Sequence, residues 1–320
     1  MFTIKSADIR IHKSASYFPE TRFFVVQAFL ATLTEEIDKV VPRGEFQSEL
    51  AVFGIQDKEL LKERGFHFKQ IHVWGNWKSI WHFRNRLSTP PVSLRFSSML
   101  FYVSVLDPKV ERAVCEEGLK KLAFEDLFSN IDYSVPETEY YRDPHRVALI
   151  QRQEEFVFRV LLNIRNEHPG IQIITLGRSS DKGSSEIEEI YFRRHLPGSL
   201  FVAAFAPERN ALIRKIDGVY VSSSSNFIND ALGAGRRATW IDVAGVMNSC
   251  FPPSDWYLRQ PSLEQAQSHL LNLLSITSAH FAQRNARDLA RLNCPLSEGE
   301  LRHHIISLFS THGLSTSPTT

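Results

Sequence analysis

DGVYVSSSSNFINDALGAGRRATWIDV, residues 217–243, decides the architecture of the chain. Val219, Tyr220 and Val221 are apolar at consecutive positions, the pattern of a strand covered on both faces. Four serines follow, and then a helical stretch in which Ala231, Gly233, Ala234 and Gly235 permit close approach to the layer beneath. RATWIDV reads as the next strand. Strand, short turn, helix and strand in this order make a βαβ unit of a parallel sheet.

The alternation extends upstream. IQIITLG (171–177) reads as a strand and RSSDKGSSE (178–186) as a Gly/Ser-rich loop opening the helix EIEEIYFRR (186–194). SLFVAAF (199–205) is a strand and ERNALIRKI (208–216) a helix, while VALIQRQEEFVFRVLLNIRNE (147–167) is a long amphipathic helix. A first alternating set precedes these. Its strands are GEFQSELAVFGI (44–55), HFKQIHVW (67–74) and SLRFSSMLFYVSVL (93–106), with helices DKELLKERGF, WKSIWHFRNRL and part of KVERAVCEEGLKKLAFEDLF between and after them. IDYSVPETEYYRDPHR (131–146) has two prolines and no clean period, which places a domain boundary there. The expected division is an N-terminal Rossmann-like domain over 1–138, a second over 139–265, C-terminal helices over 266–312 and a disordered tail over 313–320.

Composition is that of a globular chain of 320 residues, 43% hydrophobic with net charge +1. That balance argues against nucleic-acid binding through bulk positive charge. Cys115, Cys250 and Cys294 are sparse, odd in number and without metal-ligand spacing, as in a reducing compartment. MFTIKSADIRIHKS contains no apolar core of a secretory signal, and no run approaches the ~18 apolar residues of a membrane span. Cytoplasmic residence is expected, with peripheral contact at the inner face of a membrane left open. Trp74, Trp77 and Trp81 with Lys78, Arg84 and Arg86 suit either a membrane or glycan surface, or a helix packing its tryptophans on the sheet.

Ligands of open parallel sheets bind at the carboxyl ends of the strands. Ser222, Ser223, Ser224 and Ser225 lie at one such end, where helix-start amides and hydroxyls suit a phosphate; the plainer alternative is a capped turn. Gly177 and Arg178, in Gly177-Arg178-Ser179-Ser180, lie at another. His195, in FRRHLPGSL beside Arg193 and Arg194, suits a phosphate donor or general acid, or else a histidine at a helix end. Glu116 and Glu117, before Gly118, suit a general base aimed into an interdomain cleft, or else two solvated acids. No DxD-type metal motif stands near a strand end, so no metal is expected.

Glu116-Glu117-Gly118, then His195 near Pro197, then the serines, within Leu106 to Val243, resembles the bacterial sialyltransferases and polysialyltransferases of GT-B fold. The resemblance implies an α/β chain of two Rossmann-like domains facing a cleft. By motif, Glu116 or Glu117 is the base, His195 the phosphate partner or acid, and Ser223 with Ser224 the phosphate ligands. It further implies a nucleotide-sugar substrate, CMP-linked sialic acid in the narrowest form, a glycan acceptor, no cofactor, and inverting displacement without a metal. Two alternatives stay open: an epimerase-like enzyme acting on nucleotide sugars, and a non-catalytic scaffold in glycan assembly, for which the interrupted His-Leu-Pro speaks.

Overall fold

The computed structural model describes residues 2–3, 15–18, 20–27, 43–83, 98–104, 106, 114, 116–132, 142–223, 225–245, 254–294 and 296–310. Ser224, Cys115, Cys250 and the tail over 313–320 lie outside them. The chain forms two compact units: one of residues 1–84, 232–234 and 286–320, the other of 85–231 and 235–285. Each is built on a parallel sheet, in keeping with the Rossmann-like α/β class expected for both.

The first unit holds β1 (Phe2–Thr3), β2 (Phe24–Val26), β3 (Gly44–Val52) and β4 (Phe66–Val73), adjacent in that order. Helices α1 (Ile55–Glu63) and α2 (Trp77–Phe83) follow β3 and β4. Period-two alternation sends Phe23, Val25, Leu50 and Val52 to one face, with Leu61, Phe66, Phe68 and Ile71. Phe24, Val26, Ala51 and Trp74 take the other face, against Trp77, Leu301 and Leu308.

The second unit holds β5 (Ser98–Val103), α3 (Phe124–Ser129), α4 (Pro144–Glu167), β6 (Ile171–Leu176), α5 (Lys182–His195), β7 (Leu200–Val202) and α6 (Pro207–Lys215). It continues with β8 (Val219–Ser222), α7 (Phe227–Gly233), β9 (Ala238–Asp242), β10 (Tyr257–Arg259), α8 (Leu263–Ser275) and α9 (Ser278–Arg284). All pairings in its six-stranded sheet are parallel, in the order β10-β9-β8-β5-β6-β7. Counted within the unit, this is the doubly wound order 3-2-1-4-5-6. β5 and β8 are side by side at the centre, and Gly218 ahead of β8 makes this possible: a Cβ there would stand 2.3 Å from the Phe101 ring.

Three expectations change. The boundary moves from about residue 138 to about residue 84, because β5 pairs with β6 and β8 and is the core strand of the second sheet. The proline-containing stretch at 131–146 therefore falls inside one unit, and its described end, from Asp143, caps and begins α4. The C-terminal helices are not a separate body: α10 (Ala286–Leu292) and α11 (Glu298–Ser310) belong to the first unit. Finally, part of the loop expected at 178–186 is helical, since the Asp181 carboxylate accepts the Ser184 N–H at 2.8 Å and starts α5 at Lys182.

Candidate functional site

In the doubly wound order the chain leaves β5 toward one side and returns to β8 on the other, so a crevice opens at the carboxyl ends of these two strands. The serine run leaves β8 at this point. Ser222 is buried; its Oγ donates to the Val103 carbonyl at 2.5 Å and accepts the Ser225 N–H at 2.9 Å. Ser225 Oγ accepts the Phe227 N–H at 3.3 Å. These hydroxyls stitch β8 to β5 and cap the turn, and the amides of Ser225 and Phe227 are spent on them. The capped-turn reading thus accounts for Ser222 and Ser225. Ser223 differs: its hydroxyl is sealed from solvent and completes no hydrogen bond among the described residues.

At the end of β6 the anion place is already filled by the protein. Glu188 of α5 is buried, and its carboxylate accepts the N–H of Arg178 at 2.9 Å and of Ser179 at 3.2 Å. The amides of the Gly177-Arg178 loop are therefore not free for a phosphate. A Cβ at Gly177 would meet the Phe201 ring at 2.9 Å and Glu188 Oε2 at 3.1 Å, so glycine lets the carboxylate reach in.

The cation at this edge is Arg209, in the first turn of α6. Pro207 starts that helix, and Arg209 Nη1 donates to the Gly177 carbonyl at 2.5 Å. Its guanidinium carbon stands 6.0 Å from the centre of the Phe227 ring, at the start of α7. Arg209 thus joins the ends of β6 and β8 across the end of β5. Burial lowers its pKa, and the nearby Glu188 acts in the opposite direction. A half-buried guanidinium with one hydrogen bond among the described residues has further N–H groups that suit an anion.

Beneath this edge lies a buried acid. Glu154 of α4 is fully enclosed; it accepts hydrogen bonds from the Ser104 hydroxyl, one residue beyond β5, and from Tyr191 Oη at 3.1 Å. The Tyr102 hydroxyl, also enclosed, lies beside the Glu154 carboxyl and Ser223. Burial pushes the Glu154 carboxyl up to about 7, against the lowering effect of Ser104, Tyr102 and Tyr191. No cation among the described residues is paired with it.

Of the expected catalytic residues, His195 lies apart from the serine turn. His195 is the last residue of α5, which returns the chain to the start of β7. It therefore belongs to the amino edge of the sheet, opposite the serine turn, where its ring stacks on Phe158 at 5.6 Å and lies 4.5 Å from Tyr191. Its neighbours are core aromatics. Glu116 and Glu117 sit on an exposed turn before Gly118, whose φ of 70 closes it, and a 3-10 turn at Leu119–Lys121 follows. Sequence reasoning passed over Arg209 and Glu154.

In the first unit, Asp57 is a second buried acid. It accepts from Gln27 Nε2 at 2.9 Å, and burial raises its pKa from 3.8 to about 7. Glu49, by contrast, is held below its usual pKa by Arg22, which grips it at 2.6 and 2.7 Å, and by His72 at 2.8 Å, both outweighing the burial that pushes it up. The tryptophans divide: Trp74 is buried against Phe24 and His304, whereas Trp81 is exposed. Among the described residues, no three His, Cys, Asp or Glu side chains gather as a metal-holding group, and no helix is long and apolar enough to cross a membrane.

No family model and no curated protein matches the chain. Solved structures similar to it include a sucrose-phosphate synthase from Thermosynechococcus elongatus, at TM-score 0.44 and 11% identity over 93% of this chain and 71% of that one. A UDP-N-acetylglucosamine 2-epimerase from Listeria monocytogenes gives TM-score 0.48 and 10% identity over 96% and 78%. TarM gives TM-score 0.41 and 10% identity over 90% of this chain, which spans 50% of that chain.

Proposed function

We propose that the chain is a GT-B-type glycosyltransferase that binds the phosphate of a nucleotide-sugar donor at the carboxyl edge of its second sheet, and that a glycan is its acceptor. The observation that carries this reading is Arg209, stretched between the Gly177 carbonyl and the start of α7 at the topological crevice of a doubly wound sheet. Transfer is a direct displacement. The acceptor hydroxyl attacks the anomeric carbon and gives its proton to a general base, the bond to the donor phosphate breaks, and the electron pair leaves on a phosphate oxygen. Arg209 is placed to stabilise that oxygen, the part given to His195 on sequence grounds. The narrower form, CMP-linked sialic acid with inversion and without metal, rests on motif order alone, as does the assignment of the base to Glu116 or Glu117.

A second reading is favoured by the separation of His195 from the serine turn and by the exposure of Glu116 and Glu117: a nucleotide-sugar-binding scaffold without turnover. A thermal-shift panel of CMP, UDP, GDP and ADP tests the shared part, since a ligand that binds only the folded chain raises its melting temperature. At least one nucleotide is expected to stabilise the chain, with Arg209→Ala weakening it roughly ten- to a hundredfold through loss of a charge-assisted contact. Equal binding by Arg209→Ala would remove the basis for the site. Release of free nucleotide from a bound donor, with water or glycan as acceptor, separates enzyme from scaffold.

A further inference from the structure

We propose that Glu154 takes up a proton when a nucleotide phosphate seats beside Arg209, so that donor binding and protonation of this buried acid are one event. The inference rests on the binding site proposed above and concerns how that site controls charge.

Glu154 and the phosphate place converge on the end of β5. Ser104, directly after that strand, donates to the Glu154 carboxylate. Ser222, at the end of the neighbouring β8, donates to the carbonyl of Val103. Tyr102, on β5 and in register with Val221 of β8, places its hydroxyl by both Glu154 and Ser223 of the serine turn. A row of sealed hydroxyls thus runs from the acid to the turn, and the Ser223 hydroxyl completes no bond among the described residues.

The groups acting on Glu154 are Tyr102 from β5, Tyr191 from α5, and Ser104 with the Leu106 N–H from the following turn. All are neutral. The adjacent carboxylate on α4, Glu155, by contrast has a cation partner, Lys120, at 2.9 Å. A glutamine would accept the same hydroxyl donors without the cost of an enclosed charge. What the carboxyl adds is the capacity to bind a proton near neutral pH. A phosphate carrying up to two negative charges, arriving above an unpaired carboxylate in a poorly screened interior, favours the protonated acid. The sign follows: protonation accompanies binding, so affinity falls as pH rises above about 7, the value to which burial has already brought the free carboxyl.

The test is titration calorimetry of the full chain with UDP and with CMP from about pH 6 to about pH 8.5, in buffers of different ionisation enthalpy. Expected is uptake of close to one proton by the wild type above neutrality, with affinity falling toward tenfold per pH unit. Glu154→Gln, permanently neutral, is expected to hold the wild type's low-pH affinity across the range, leaving only the titration of the nucleotide itself. Binding that takes up the same number of protons in Glu154→Gln as in wild type overturns the inference and leaves the binding site standing. Absence of binding by either nucleotide, and by GDP and ADP in the same titration, at every pH overturns both. Should Glu154→Gln fail to fold, the buffer dependence of the wild-type heat still decides, because uptake near zero at pH ~7.5 contradicts the inference.

Discussion

Asp57 shows how much a single residue's surroundings alter its chemistry. It lies in the first turn of α1, where a carboxylate normally gains from the helix amides, yet it is enclosed and, among the described residues, served by the Gln27 amide. Gln27 is itself fixed: its side-chain oxygen accepts the Phe53 N–H at 2.6 Å and its carbonyl accepts the Trp77 indole N–H at 3.2 Å. Burial raises the folded-state pKa to about 7, above its usual 3.8, so the acid's contribution to stability is full below pH ~4 and is lost as pH rises through 7. The first unit should therefore lose on the order of 4 kcal/mol between those limits from this group. Asp57→Asn should flatten that slope, measured by urea denaturation at several pH values. An unchanged slope would mean that Asp57 keeps its charge in the folded state through another partner.

Helix α4 shows, at the scale of one element, what a sequence pattern reveals and what it hides. Residues 147–167 read as a helix from periodicity, whereas its true start, Pro144 after the Asp143 cap, lies in the stretch 131–146 that reads as a boundary. Glu154 was hidden because it sits beside Glu155 in a run that looks solvated. Yet Ile150, Glu154, Val157, Phe158 and Leu161 share the buried stripe, and an acid inside such a stripe is the available signal. Arg209 was hidden for a different reason: only the crossover that brings α6 over the end of β5 gives a first-turn arginine its place. Likewise β5 reads as a strand from its own residues, but its partners are more than 60 residues away, so its domain was not readable locally. At the cap, Asp143 accepts the N–H of His145 at 3.0 Å, of Arg146 at 3.3 Å and of Asp132 at 2.5 Å. Asp143→Ala should cost about 1–2 kcal/mol in urea unfolding, and Asp143→Asn less than half of that. Equal losses for both would point to the charge and not the cap.

The whole chain is not partitioned in sequence order, because residues 286–320, which follow the second unit along the chain, belong to the first. The reason is visible on the first sheet. Its face of Phe24, Val26, Ala51 and Trp74 is covered by Leu301 and Leu308 of α11, with the His304 ring stacked on Trp74 at 5.3 Å. Arg22, clamped on Glu49, reaches the Leu308 carbonyl at 2.8 Å and helps hold the end of that helix. On the other side of the unit, Cys294 donates its N–H to the Phe53 carbonyl at 2.9 Å, and Gly54 is pressed so closely on the backbone of Arg291 and Leu292 that a Cβ would overlap it. Residues 1–84 alone would expose an aromatic face and lose these backbone partners, a cost of several kcal/mol in a small sheet. The second unit draws its six strands and α8 from 85–285. A fragment of residues 85–285 is therefore expected to unfold cooperatively and to keep Arg209-dependent nucleotide binding, whereas residues 1–84 are expected to lack a cooperative transition unless 286–320 is supplied in trans. Circular dichroism melts and amide exchange of the fragments read both outcomes; a cooperative melt of 1–84 alone would show that the returning helices are dispensable to the first fold.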